Sequence, residues 1–86
     1  MTNDQIAQFL SVKTTLATSK IIDIRFKKRQ AIRGIFVHTN DFEDLKSKNL
    51  WRVITESKLG DWRKTKDIGL SRIYNGSDFT RLKAAQ

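Results

Sequence analysis

The sequence predicts an α+β domain in which one N-terminal helix precedes a five-stranded, mainly antiparallel sheet or small barrel. Three observations predict this class. Apolar residues follow helical spacing near the N-terminus, apolar and polar residues alternate in several later segments, and an Asn-Gly pair separates the last two of these. The 86 residues suffice for one modest core, so residues 1–86 are assigned to a single domain with its sheet or barrel over about residues 20–83.

The N-terminal helix is predicted over about residues 3–18. Thr2 and Gln5 fit a capping box, in which each side chain accepts a hydrogen bond from the other residue's backbone N–H. The polar face carries amides and hydroxyls rather than a row of cations, which favours packing on a sheet over lying on a membrane surface. The apolar stripe consists of Ile6, Phe9, Leu10, Leu16 and Ala17.

The central segments have the patterns of β-strands. Apolar and charged residues alternate over residues 22–26, as a half-buried strand requires. Residues 31–37 are rich in β-branched and aromatic side chains, and the polar residues 27–30 join the two strands into a predicted hairpin. Residues 50–55 carry apolar side chains on both faces, which predicts a central or barrel strand. Residues 57–67 fit a loop or one short helical turn equally well.

The last two predicted strands, residues 68–74 and 77–82, flank the dipeptide Asn75-Gly76. This dipeptide readily adopts the two positive-φ positions of a type I′ hairpin turn. A two-residue turn sets the register, so that four side chains share one face of the hairpin: Arg72, Tyr74, Phe79 and Arg81. Such a face suits base stacking and backbone contact. The other interpretation places the two aromatic rings in the core, with the arginine side chains extending past them.

Composition argues against an enzyme and against a bound metal or cofactor. The chain has no cysteine, a single histidine, and no Gly-rich phosphate loop or nucleophile elbow. The carboxylates of Asp41, Glu43 and Asp44 are interpreted as a solvated turn rather than a magnesium site. Without cysteines, a leader or an apolar span, the chain is predicted to be a soluble cytoplasmic protein without membrane contact.

Basic residues exceed acidic ones, with 17 Lys and Arg against 9 Asp and Glu, a formal net charge of +8. Residues 20–33 hold six cations and one carboxylate, and most of the cations gather at the tip of the first hairpin. Such clusters neutralise phosphates and release condensed counterions. The predicted nucleic-acid-binding residues are Lys27, Lys28, Arg29, Arg33, Arg72, Tyr74 and Arg81.

Two functions are therefore predicted as alternatives. The first is a small non-enzymatic domain that binds nucleic acid, with RNA or another single strand favoured. The second is a protein-interaction or structural module, including a homo-oligomer, whose basic residues serve solubility and protect strand edges.

Two segments contain short motifs built around a glycine. Residues 32–36, which read Ile-Arg-Gly-Ile-Phe, and the Asn40-Asp41 pair after them resemble the first motif of the Sm-like small-barrel family. Residues 75–82 are similar to the motif that joins its last two strands, and SH3-like barrels contain comparable patterns. The resemblance implies a ring-forming RNA binder whose base pocket lies near Asn40, Asn75 and Gly76.

Overall fold

The computed structural model describes residues 1–12 and 21–84. An N-terminal helix precedes a five-stranded antiparallel sheet, so the predicted α+β class is confirmed. Two further short helices lie within these residues. The helices are α1 (Asn3–Val12), α2 (Phe42–Ser47) and α3 (Leu59–Thr65). The strands are β1 (Ile22–Phe26), β2 (Ile32–Phe36), β3 (Leu50–Thr55), β4 (Arg72–Asn75) and β5 (Phe79–Ala84).

Helix α1 begins with the predicted capping box. The N–H of Thr2 donates to Oε1 of Gln5 at 2.9 Å, and the N–H of Gln5 donates to Oγ1 of Thr2 at 3.2 Å. Ile6 is completely buried against the sheet, so the predicted role of the helix as a cover for the sheet is confirmed. The predicted continuation over residues 13–18 lies outside the described residues. Within the described ranges, no helix has the length and apolar character needed to cross a bilayer.

The strand order is β4-β3-β2-β1-β5, and every neighbouring pair is antiparallel. Strands β1 and β2 form the predicted hairpin, with Ile24 opposite Ile32. Strand β3 lies between β2 and β4, which confirms its predicted central position. The sheet is not closed into a barrel, because within residues 21–84 the two edge strands, β4 and β5, do not pair with each other.

The predicted hairpin between the last two strands is wrong. Asn75 has φ −84° and caps a 3-10 turn over Gly76–Asp78 by accepting a hydrogen bond from the N–H of Ser77 at 3.0 Å. No described glycine has positive φ, so the type I′ turn does not form. The turn directs the chain to the opposite edge of the sheet, where Phe79 and Leu82 are buried beside β1. The apolar residues of β5 therefore outweigh the local turn preference.

Apolar side chains cover most of the inner face of the sheet and a smaller part of the outer face. The inner-face core joins α1 to all five strands and consists of Ile6, Ile22, Ile24, Phe36, Trp51, Val53, Tyr74, Phe79 and Leu82. On the outer face, Ile35 and Ile54 pack beneath Leu59 of α3. The outer face of β1 and β5 carries charged side chains instead, because Asp23 and Arg25 alternate with buried isoleucines.

Two segments contain more helix than predicted. The segment that holds Asp41, Glu43 and Asp44, interpreted from the sequence as a solvated turn, includes α2, and the partly buried Phe42 packs on the inner core. A loop and a helical turn fitted residues 57–67 equally well. In the structure this segment contains the end of a 3-10 turn (Glu56–Lys58) and the whole of α3. That helix ends where Lys66 adopts the left-handed conformation with φ 55°.

An ion pair fixes the start of α2 to the sheet. Nη2 of Arg52 on β3 donates to Oδ2 of Asp41 at 2.7 Å, and Nε contacts both carboxylate oxygens at 3.2 Å. The hydroxyl of Thr39 also donates to this carboxylate. Nη1 of Arg52 donates to Oγ of Ser71, just before β4, at 3.2 Å. One guanidinium therefore connects three separate parts of the chain.

This ion pair predicts a pH dependence of stability. Hydrogen bonds from Arg52 and then Thr39 lower the pKa of Asp41 from 3.8 to about 2. A carboxyl group with a lowered folded-state pKa stabilises the fold when ionised, and this contribution is lost as the pH falls through the folded pKa. We expect the unsubstituted protein to exceed Asp41→Asn in free energy of unfolding by a constant amount above about pH 5. The difference should shrink between pH 3.8 and about 2.

Thermal unfolding followed by far-UV circular dichroism over this pH range measures the difference. Glu43→Gln is the control, because the Glu43 carboxylate lies 4.0 Å from Lys46 and is largely exposed. A difference between the unsubstituted protein and Asp41→Asn that stays constant down to the lowest pH would contradict the assignment.

Candidate nucleic-acid interface

An open groove of about 660 Å³ lies beside the β1–β2 turn. Its residues come from the first hairpin, from the end of β3 and the 3-10 turn that follows it, and from β4. Two carboxylates, Asp23 and Glu56, also line it, so cations outnumber anions by five to two. We call this cavity the basic groove, and its cations are Arg25, Arg29, Arg33, Lys58 and Arg72.

Arg29 connects the first hairpin to β4 at the basic groove. Its guanidinium carbon lies 5.1 Å from the ring centroid of Phe26 and 5.5 Å from that of Tyr74. The two rings are themselves 5.7 Å apart, although β2 and β3 separate their strands in the sheet order. The sheet therefore curls until the end of β1 meets β4. Cation–π attraction to two rings holds the exposed Arg29 over this junction.

The β1–β2 turn is also attached to the rest of the chain through its backbone. The N–H of Lys27 donates to the carbonyl of Asp78 at 3.0 Å, next to the first residue of β5. Together with the contact of Arg29 with the Tyr74 ring, this bond links the first half of the turn segment to β4 and to the start of β5. The cations near the turn consequently occupy defined positions relative to β4.

No carboxylate of the described residues lies within 4.0 Å of a cation of the basic groove. Ion pairs within 4.0 Å in the described part of the chain are Lys46–Glu43, Lys48–Asp44 and Arg52–Asp41. All three involve α2 or the loop before it, away from the residues that line the groove. The positive charge of the groove is therefore available to an anionic ligand.

The structure brings together four of the seven residues predicted to bind nucleic acid. Arg29, Arg33, Arg72 and Tyr74 line the basic groove. Lys27 instead lines a separate cavity between α1 and β5, with Phe9 and Phe79. Lys28 is exposed in the turn, and Arg81 lies on β5 opposite Arg25. The two basic segments of the sequence thus meet only in part.

The predicted common face of Arg72, Tyr74, Phe79 and Arg81 does not exist. Tyr74 lies opposite Trp51 and points into the inner core, where it is 9% exposed. Phe79 is also buried, whereas Arg81 projects from the outer face. The face depended on pairing β4 with β5, and these strands occupy opposite edges of the sheet. Tyr74 consequently supports Arg29 and is not an open surface for base stacking.

Two groove residues were missed by sequence reasoning. Arg25 was counted among the cations of residues 20–33 but was not predicted as a nucleic-acid-binding residue. Lys58 fell in a segment whose conformation was left open. The spacing of Arg25 from Arg33 in the hairpin was a usable signal, whereas nothing in the sequence placed Lys58 beside β2.

The three residues implied by the Sm-like resemblance lie outside the basic groove. Asn40 lines another cavity with Asp41 and Arg52. Asn75 and Gly76 form the connection from β4 to β5, and Gly76 is buried. In comparisons with known proteins, the chain matches no family model, no curated protein and no solved structure, so no relative supplies a function for this site.

Proposed function

We propose that the chain is a non-enzymatic nucleic-acid-binding domain whose basic groove holds the phosphates of RNA or another single strand. The observation that carries the proposal is the convergence of five cations on one open groove, none of them within 4.0 Å of a described carboxylate. Lys and Arg bound to phosphates release condensed counterions, and this release drives sequence-independent binding. In this proposal the domain acts in the cytoplasm, in keeping with a chain that contains no cysteine.

Arg29 and Arg72 are assigned the central phosphate contacts. A guanidinium presents a planar set of donors that matches phosphate oxygens in a bidentate manner. Because Phe26 and Tyr74 hold Arg29 in place, it loses less conformational freedom on binding than a free surface arginine. Lys27 and Lys28, at the same turn, add attraction at longer range.

A salt titration tests the proposal. We expect a labelled single-stranded oligonucleotide to bind with an affinity that falls linearly in a plot of log K against log salt. Each phosphate contact contributes a slope of about −0.7, so three contacts weaken binding roughly 20-fold between about 50 and about 200 mM salt. Fluorescence anisotropy with RNA and DNA of the same sequence measures the slope. Binding that does not respond to salt would contradict phosphate contact.

Matched variants separate the basic groove from general positive charge. Arg29→Gln and Arg72→Gln should each weaken binding to every sequence and reduce the slope by about 0.7. Arg63→Gln removes the same charge from α3, outside the groove, and should leave the slope unchanged. Equal losses in all three variants would show diffuse attraction without a groove.

A second candidate function rests on an exposed apolar edge. In the described part of the chain, the large hydrophobic residues with high exposure are Ile68, at 37%, and Ile73, at 46%. Ile73 belongs to β4, whose outer edge has no partner strand in the described residues, and such edges pair readily with another chain. Sedimentation velocity with and without oligonucleotide separates the functions. A stable oligomer that binds no nucleic acid would favour the interaction module, while a ring that binds RNA would favour the Sm-like resemblance.

A further inference from the structure

Two neighbouring rows of charged residues lie on the outer face of the sheet, the first across β5, β1 and β2 and the second across β5 and β1. In the first row, Asp23 lies opposite Arg33 on one side and Lys83 on the other. In the second row, Arg25 lies directly opposite Arg81, and an irregularity in the β1–β5 pairing follows at once. The first row thus contains a carboxylate between two cations, whereas the second places two cations side by side.

The second row is electrostatically unfavourable in the free protein. Directly opposite residues of an antiparallel pair have Cβ atoms about 4.5–5.5 Å apart, and like charges at that spacing destabilise the sheet. Arg25 and Arg81 are both exposed, and neither forms an ion pair with a described carboxylate. A phosphate bound between the two guanidinium groups would offset this repulsion through charge-assisted hydrogen bonds.

Arg25 is shared between this row and the basic groove. The geometry points to a phosphate clamp, formed by Arg25 and Arg81, that extends the basic groove across β1 to β5. This inference rests on the proposed nucleic-acid function and specifies its ligand. A single strand that spans the clamp and the groove presents more than one phosphate, so an oligonucleotide should bind more tightly than a mononucleotide.

The clamp predicts opposite effects of one substitution on stability and on binding. Arg81→Gln removes the repulsion in the free protein, so its Tm should rise. The same variant should bind a single-stranded 12-nucleotide probe several-fold more weakly, with a salt slope reduced by about 0.7. Affinity for a mononucleotide should change little, because that ligand can occupy the groove alone. Differential scanning fluorimetry and anisotropy measure the two effects.

Lys83→Gln is the control on the same face of the same strand. It removes a cation opposite Asp23, so it should leave Tm unchanged or lower it. A Tm that rises equally in both variants would show a general effect of net charge and would overturn the clamp. Poly-glutamate serves as a competitor, and tighter binding of poly-glutamate than of the 12-nucleotide probe would overturn the clamp in favour of an acidic protein partner.

The clamp and the proposed function fail in different ways. If Arg81→Gln binds the 12-nucleotide probe normally while Arg29→Gln and Arg72→Gln bind it weakly, the clamp is wrong and the nucleic-acid function stands. If the unsubstituted protein binds no oligonucleotide at any salt concentration, both are wrong. If Arg81→Gln weakens the binding of inorganic phosphate as much as it weakens the binding of the 12-nucleotide probe, the two arginines form a simple anion site. That result would overturn the inference that the clamp extends the basic groove across β1 to β5.

Discussion

Replacing Trp51 with alanine is expected to destabilise the domain by about 3–5 kcal/mol. The side chain is 1% exposed at the centre of the inner core. The centroid of its ring lies 6.2 Å from that of Phe36 and 5.9 Å from that of Phe42, and both ring pairs have edge-to-face geometry. The indole N–H also donates to Oδ1 of Asn49 at 2.8 Å. Alanine would leave a large cavity and remove this hydrogen bond.

The expected loss is a large fraction of the free energy of unfolding of a native domain, which is about 5–15 kcal/mol. Urea unfolding followed by far-UV circular dichroism measures it, and the variant should be largely unfolded or show a much lower midpoint. Trp62→Ala is the control, because Trp62 is only half-buried on α3 at the outer-face cluster. Equal losses in the two variants would contradict the assignment of Trp51 to the centre of the core.

Replacing Gly34 with alanine is expected to destabilise the domain by roughly 2–3 kcal/mol or more. A Cβ atom at Gly34 would overlap the carbonyl oxygen of Ile54 and would lie 2.9 Å from Cγ1 of Val53. The first of these is a backbone atom of the neighbouring strand, so relief requires β2 and β3 to move apart. Gly34 is therefore required for close approach of the strands and not for an unusual φ angle.

The same substitution at Gly60 should have the opposite sign. Gly60 lies near the start of α3, and a Cβ atom there meets no neighbouring atom within 4 Å. Alanine is a better helix former than glycine by up to about 1 kcal/mol, so Gly60→Ala should stabilise the domain. Urea unfolding of both variants gives the comparison. If Gly34→Ala were as stable as the unsubstituted protein, the close contact between β2 and β3 would be contradicted.

The contact at Gly34 also bears on the candidate site. Arg33, immediately before it, lines the basic groove, and Gly34 lies opposite Thr55, which lines the same groove from β3. Separation of β2 from β3 would move these two walls relative to each other. We therefore expect any Gly34 variant that remains folded to bind oligonucleotides less tightly than the unsubstituted protein.

Local sequence patterns determined the helix cap, the strands β1, β2 and β3, and the concentration of positive charge near the first turn. Each depends on neighbouring residues: Thr2 and Gln5 cap one another across a single turn, and alternation over residues 22–26 requires only one buried face. A cluster of basic residues is equally local, because it is visible from neighbouring positions in the sequence. Arg29 and Arg33 were therefore identified as candidate site residues from the sequence.

Tertiary structure alone decided where the last two strands lie and which cations meet. The preference of Asn75-Gly76 for a hairpin is worth little beside burial of Phe79 and Leu82 against β1, and that burial depends on residues far away in the sequence. The curl of the sheet then placed Tyr74 beneath Arg29, and the β1–β5 register placed Arg81 opposite Arg25. Packing between distant segments is a property of the whole chain, so no local pattern contained these contacts.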